Sequence, residues 1–135
     1  MITLPAVLVV DDDPNFREMM VLAGQLWGIT VLEAGNCGQA LHVLDREKDR
    51  IRLIFLDYYM PGMEPQQCAA ALIAMAGASI PIILATAAVD PAVRAAELKL
   101  SQWLSKPFDI TALEVLFKKA VLVNDPYYCS NIRNP

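Results

Sequence analysis

Three short runs of branched apolar residues constrain this chain more than any other feature: Ala6-Val7-Leu8-Val9-Val10, Leu53-Ile54-Phe55-Leu56 and Ile82-Ile83-Leu84-Ala85. They do not alternate with polar residues, so each predicts a strand covered on both faces, as in a parallel sheet. Weaker strands fit Thr30–Ala34 and Gln102–Ser105. Between the strands the spacing turns helical. Phe16, Met19, Met20, Ala23 and Leu26 form one stripe, and Ala40, Leu41, Val43 and Leu44 a second. Cys68–Met75 and Ala92–Leu98 are rich in small and aliphatic residues, and Ile110, Leu113, Leu116, Phe117 and Ala120 make the last stripe. Asp13-Pro14 and Asp90-Pro91 read as cap and first helical residue, and Asp109 can cap the final helix. A strand–helix unit repeated five times predicts an α/β fold with helices on both faces of one sheet.

The 135 residues suit one domain, expected over residues 1–123, with 124–135 a polar tail or the start of a linker. Hydrophobic residues make up 56% and charged residues 19%, enough apolar material for a real core. The net charge is −4 and no basic run stands out, so direct binding to nucleic acid is not expected. The longest weakly polar stretch, Ala76–Val89, is broken by Ser79, Pro81 and Thr86 and falls short of the roughly 18 apolar residues of a membrane span. The N-terminus lacks a signal-peptide pattern, and a cytoplasmic protein is expected. Cys37, Cys68 and Cys129 are odd in number and show no CxxC spacing, which predicts free thiols rather than a disulfide or zinc site.

In open α/β sheets, ligands bind beyond the carboxyl ends of the strands. Asp11-Asp12-Asp13 follow the first run, Asp57 the third strand, Thr86 the fourth and Lys106 the fifth. Singly, each has a plain reading: a cap for an aspartate, a structural hydroxyl for the threonine, a surface charge for the lysine. Four at four strand ends point to chemistry. Converging carboxylates repel unless a cation joins them, and an all-oxygen set suits Mg²⁺ (or Mn²⁺), which binds few protein carboxylates together with phosphate oxygens. Asp57 is then the candidate nucleophile, Lys106 and Thr86 partners for phosphate oxygens, and Asp13 a helix cap.

Val7–Pro14, Leu56–Met63, Ala85-Thr86-Ala87 and Leu104–Phe108 resemble, in order, the signature segments of the response-regulator receiver (CheY-like) family, over residues 4–123. The resemblance implies a doubly wound, flavodoxin-like (βα)5 sheet in strand order 2-1-3-4-5. It implies phosphorylation of Asp57 by a sensor histidine kinase or phosphotransfer protein, with Asp11, Asp12, Asp57 and the Tyr59 carbonyl around Mg²⁺. Thr86 and Lys106 would meet the phosphoryl group, the Lys106–Pro107 bond would be cis, and Trp103 would take the switch aromatic position with Thr86. A downstream protein or a second copy would bind the face of the fourth helix, fifth strand and fifth helix.

The sequence also departs from the family. Glu64-Pro65 stands where Gly is usual in second place, and Lys99-Leu100 replaces Gly-Ala before the fifth strand, so both turns should differ locally. Tyr59 is bulky two residues after the acceptor. Three alternatives compete. A haloacid-dehalogenase-like phosphatase needs a second acid where Tyr59 stands. A flavodoxin-like FMN binder needs a Ser/Thr/Gly-rich first loop, whereas this one is triply acidic. An unphosphorylated pseudo-receiver, a pure interaction module, would not need the full set of site residues.

Overall fold

The computed structural model of the chain describes residues 4–122. Five strands alternate with five helices: β1 (Ala6–Val10), α1 (Pro14–Leu26), β2 (Thr30–Ala34), α2 (Cys37–Glu47), β3 (Ile51–Leu56), α3 (Pro65–Ala76), β4 (Ile82–Thr86), α4 (Pro91–Glu97), β5 (Gln102–Ser105) and α5 (Ile110–Leu122). All strand pairs are parallel and the order is β2-β1-β3-β4-β5, the expected doubly wound sheet. The three apolar runs occupy the three central strands, and the weaker strands lie at the edges.

Successive residues of the central strands feed two separate cores, because side chains of a strand alternate between faces. Val7, Val9, Leu53, Phe55, Ile83 and Ala85 pack under α1 and α5 against Met20, Ala23, Leu113 and Phe117. Leu8, Val10, Ile54, Leu56, Ile82 and Leu84 face α2, α3 and α4, where Ala40, Leu44, Ala69, Leu72 and Ala95 close the layer. Gly24 brings α1 close to β2, since a Cβ there would lie 2.6 Å from the Ile29 carbonyl oxygen. The first helical stripe is only partly buried: Met20 and Ala23 face the core, whereas Met19 and Leu26 are exposed.

The helix starts follow local chemistry. Asp13 accepts from the Asn15 N–H and Asp109 from the Thr111 N–H, as expected of caps. Asn36, which the sequence did not single out, accepts from Gln39 N–H and starts α2. Asp90 occupies the cap position of α4 but makes no side-chain cap bond; its carboxylate lies 3.8 Å from Arg94 Nε. Both suspect turns are resolved locally. Pro65 becomes the first residue of α3, and Gly62 takes the positive φ (101°) that Pro65 cannot. Lys99 adopts φ 61°, the left-handed conformation usually left to glycine.

The cysteine expectation is corrected. Cys37 and Cys68 form a disulfide between α2 and α3, with Cα atoms 5.9 Å apart. Spacing alone could not reveal it, because the side-by-side packing of two helices brings residues 31 apart in sequence together. Cys129 and residues 124–135, expected as a tail or the start of a linker, lie outside the described residues. No helix among the described residues is long and apolar enough to cross a membrane.

Candidate functional site

The parallel register levels the strand ends, and backbone hydrogen bonds extend it one residue further. Asp11 N–H donates to the Ala34 carbonyl (3.0 Å), Asp57 N–H to the Val10 carbonyl (3.0 Å) and Lys106 N–H to the Thr86 carbonyl (2.8 Å). The residues just past β1, β3 and β5 are thereby held by the sheet rather than by mobile loops. This is how four sequence-distant groups share one edge.

Asp11 is almost fully buried, Asp57 has a side chain 10% exposed, and Asp12 is exposed. Carboxylate oxygens of the three lie within 4.8 Å of one another. Lys106 Nζ donates to Asp11 Oδ2 at 2.6 Å and lies 3.6 Å from Asp57 Oδ1. Asp11 Oδ1 accepts from the Asp13 N–H, so both oxygens of this buried carboxylate are engaged. Arg17 Nη1 donates to the Asp11 carbonyl at 2.7 Å, fixing the loop from the α1 side.

Burial pushes the Asp57 carboxyl up from its ordinary 3.8 to about 6. The Asp11 charge adds to the rise, Lys106 opposes it, and Asp12 adds a smaller push. Three carboxylates face one ammonium, an imbalance that a divalent cation would remove. The side-chain donors are oxygens only, which fits a hard ion such as Mg²⁺ or Mn²⁺ and argues against a soft one.

Thr86 is fully buried and its Oγ1 accepts the Ala88 N–H at 3.1 Å, so its hydroxyl is engaged within its own loop. Trp103 lies opposite Leu84 in the β4–β5 register and is 45% exposed. Tyr59 is also exposed. The Lys106–Pro107 peptide bond is cis. The structure thus brings Asp11, Asp12, Asp57 and Lys106 together, with Asp13 at its cap, while Trp103 sits lower on the edge strand.

Two supporting residues escaped the sequence reading. Phe16, read there only as part of a helical stripe, lies beneath Lys106, whose Nζ is 4.0 Å from the ring centroid; Phe108 packs edge-on against the same ring. Tyr58 donates its hydroxyl to Glu97 Oε2 across to α4, and that bond holds its phenol above the ordinary 10.0. An aromatic residue beside the acidic loop was the available signal for Phe16, and none marked Tyr58.

Comparison with known proteins agrees with this fold. The family model of the response regulator receiver domain matches residues 7–118. The chain is 37% identical over 120 residues to the phosphate regulon transcriptional regulatory protein PhoB of Pseudomonas aeruginosa, covering 86% of this chain and 51% of that protein. It is 38% identical over 117 residues to the positive alginate biosynthesis regulatory protein of the same organism, covering 84% and 46%. The chain therefore spans about half the length of these curated relatives. Among solved structures, a receiver protein from Pseudomonas putida aligns with TM-score 0.73 and 28% identity, over 88% of this chain and 99% of that one. The response regulator TrrA of Thermotoga maritima, solved in complex with Mg²⁺ and BeF, aligns with TM-score 0.73 and 27% identity over 87% and 99%. The phosphatase and flavin-binder alternatives fall away: this chain belongs to the response regulator receiver domain family of two-component signalling.

Proposed function

We propose that Asp57 is the phospho-acceptor of this receiver domain, taking its phosphoryl group from a phosphohistidine on a sensor histidine kinase or a histidine phosphotransfer protein. The observation that carries this reading is the cluster of Asp11, Asp12 and Asp57 at the carboxyl edge of the sheet, with Lys106 Nζ beside Asp11 and Asp57. Asp12, Asp57 and the Tyr59 carbonyl would hold Mg²⁺, with Asp11 acting through water. When bound, the ion neutralises charge on the phosphoryl oxygens. The TrrA complex with Mg²⁺ and BeF supports this assignment by analogy.

The chain's own residues supply the rest. An Asp57 oxygen forms the new O–P bond as the N–P bond of the phosphohistidine breaks, and the departing imidazole keeps the electron pair. Lys106, already between Asp11 and Asp57, exchanges a carboxylate contact for a phosphoryl oxygen. The Thr86 hydroxyl, while accepting from the Ala88 N–H, donates its own hydrogen to another oxygen. The domain catalyses only its own phosphorylation and dephosphorylation, works in the cytoplasm, and signals through the face of α4, β5 and α5 to a partner protein or a second copy. Residues 124–135 are its tail or the start of a linker.

Incubation with acetyl phosphate and Mg²⁺ should add one phosphoryl group per chain, measured by intact mass, and Asp57→Asn should abolish it. Undiminished labelling of the Asn variant would sink the assignment.

A further inference from the structure

We propose that Tyr58 is a positioning residue that ties the phospho-acceptor loop to α4 through Glu97 and Arg94, and so holds the helix in its resting place. The inference rests on the acceptor reading above and adds a regulatory contact to it.

The contact is closed on all sides. Tyr58 immediately follows Asp57, and its hydroxyl donates to Glu97 Oε2 at 2.8 Å. The other oxygen of the same carboxylate, Oε1, accepts from Arg94 Nη1 at 2.9 Å. The Arg94 guanidinium returns to the start of the circuit, lying 5.3 Å from the Tyr58 ring centroid. Tyr59 packs edge-on against Tyr58 at 4.9 Å, so both residues after the acceptor share the tie.

Its leverage comes from how weakly α4 is otherwise held. The helix has seven residues, and Ala95 is its only buried one. Its cap residue makes no side-chain cap bond. Ala95, with Leu98 and Leu100 just past the helix, anchors α4 to the core, and the polar tie to the β3–α3 loop adds a modest restraint at the Glu97 end. In the arrangement described, Thr86 holds Ala88 N–H and α4 begins shortly after, at Pro91. Drawing the Thr86 hydroxyl toward a phosphoryl oxygen pulls on that connection, and the Tyr58 tie resists. Removing the tie should lower the cost of the shift and favour the phosphoryl-bound arrangement.

The test is titration of the full chain with Mg²⁺ and beryllofluoride, followed by tryptophan fluorescence, for the wild type, Tyr58→Phe, Glu97→Ala, Glu97→Gln and the Tyr58→Phe/Glu97→Ala pair. Tyr58→Phe keeps the ring and Glu97 is exposed, so neither change threatens the fold. Each of these two single variants should bind beryllofluoride about two- to fivefold more tightly. The pair should gain no more than either single change. Glu97→Gln, which keeps an acceptor for the hydroxyl, should fall nearer the wild type. Mg²⁺ affinity without beryllofluoride should not move, which separates positioning from a general structural effect. Equal or weaker beryllofluoride binding by Tyr58→Phe, or additive gains in the pair, would overturn the tie while leaving the acceptor reading intact. A wild type that shows no beryllofluoride response overturns both.

Discussion

Asp57 is held at a cost in its ionised form. Its carboxyl titrates near 6 because burial and the Asp11 and Asp12 charges disfavour ionisation more than Lys106 favours it. Folding therefore loses stability as pH rises from the ordinary carboxyl value of 3.8 through about 6, and the full penalty stands above that window. In EDTA, Asp57→Asn should be more stable than the wild type at pH 7.5, by on the order of 1–2 kcal/mol after allowance for solvent screening. The difference should vanish near pH 3.5, where both side chains are neutral. Urea unfolding at the two pH values checks this, and an Asn variant no more stable at pH 7.5 would contradict it. Added Mg²⁺ should favour the wild type instead, since the ion offsets the repulsion among the carboxylates and binds only the folded state. At this scale the acidic residues and Lys106 were legible because each directly follows a strand. Phe16 and Tyr58 were not, because their roles depend on side chains meeting across 90 and 39 residues of sequence.

At the scale of elements, α2 and α3 lie side by side on one face of the sheet, and the Cys37–Cys68 bridge joins them. Closing a loop of this length stabilises a fold by roughly 2–4 kcal/mol, chiefly by restricting the unfolded chain. In protein prepared without reductant, the thermal midpoint should fall when reductant is added, whereas Cys37→Ser should melt low and ignore reductant. Alkylation in denaturant followed by peptide mass mapping gives an independent reading. Modification of Cys37 and Cys68 before any reduction would show the bridge absent. Strand and helix positions were readable from periodicity, because buried strands cannot alternate and helices repeat their apolar positions. Helix–helix proximity was not, since no local pattern reports which helices become neighbours. The α4 cap shows the same limit: Asp90-Pro91 marked the helix start correctly, but the Asp90 carboxylate makes no cap bond and lies 3.8 Å from Arg94 Nε.

Taken as a whole, the molecule is a rigid three-strand centre with two softer edges. β1, β3 and β4 are buried along nearly their whole length, whereas β5 is mostly exposed. The continuous apolar runs already distinguished central strands from edge strands; the order among them came only from family resemblance, because strand order is a property of crossovers rather than of any one segment. This gradient decides where a charge change at Asp57 can spread. A phosphoryl group adds roughly −1.5 to −2 charges and three acceptor oxygens at the carboxyl edge. The central strands are locked between two cores and cannot yield. The Thr86 loop, the short α4 and the exposed β5 can. Trp103, 45% exposed on β5 and in register with Leu84, is placed to follow a change in the space behind Thr86. Hydrogen exchange with and without Mg²⁺ and beryllofluoride should therefore change protection in residues 87–105 and leave β1 and β3 unaltered. The same experiment should show smaller changes along α5, whose Leu113 and Phe117 are fixed in the opposite core. Protection changes confined to α1, with none near Trp103, would place the output on the other side of the sheet and exclude the α4-β5-α5 route.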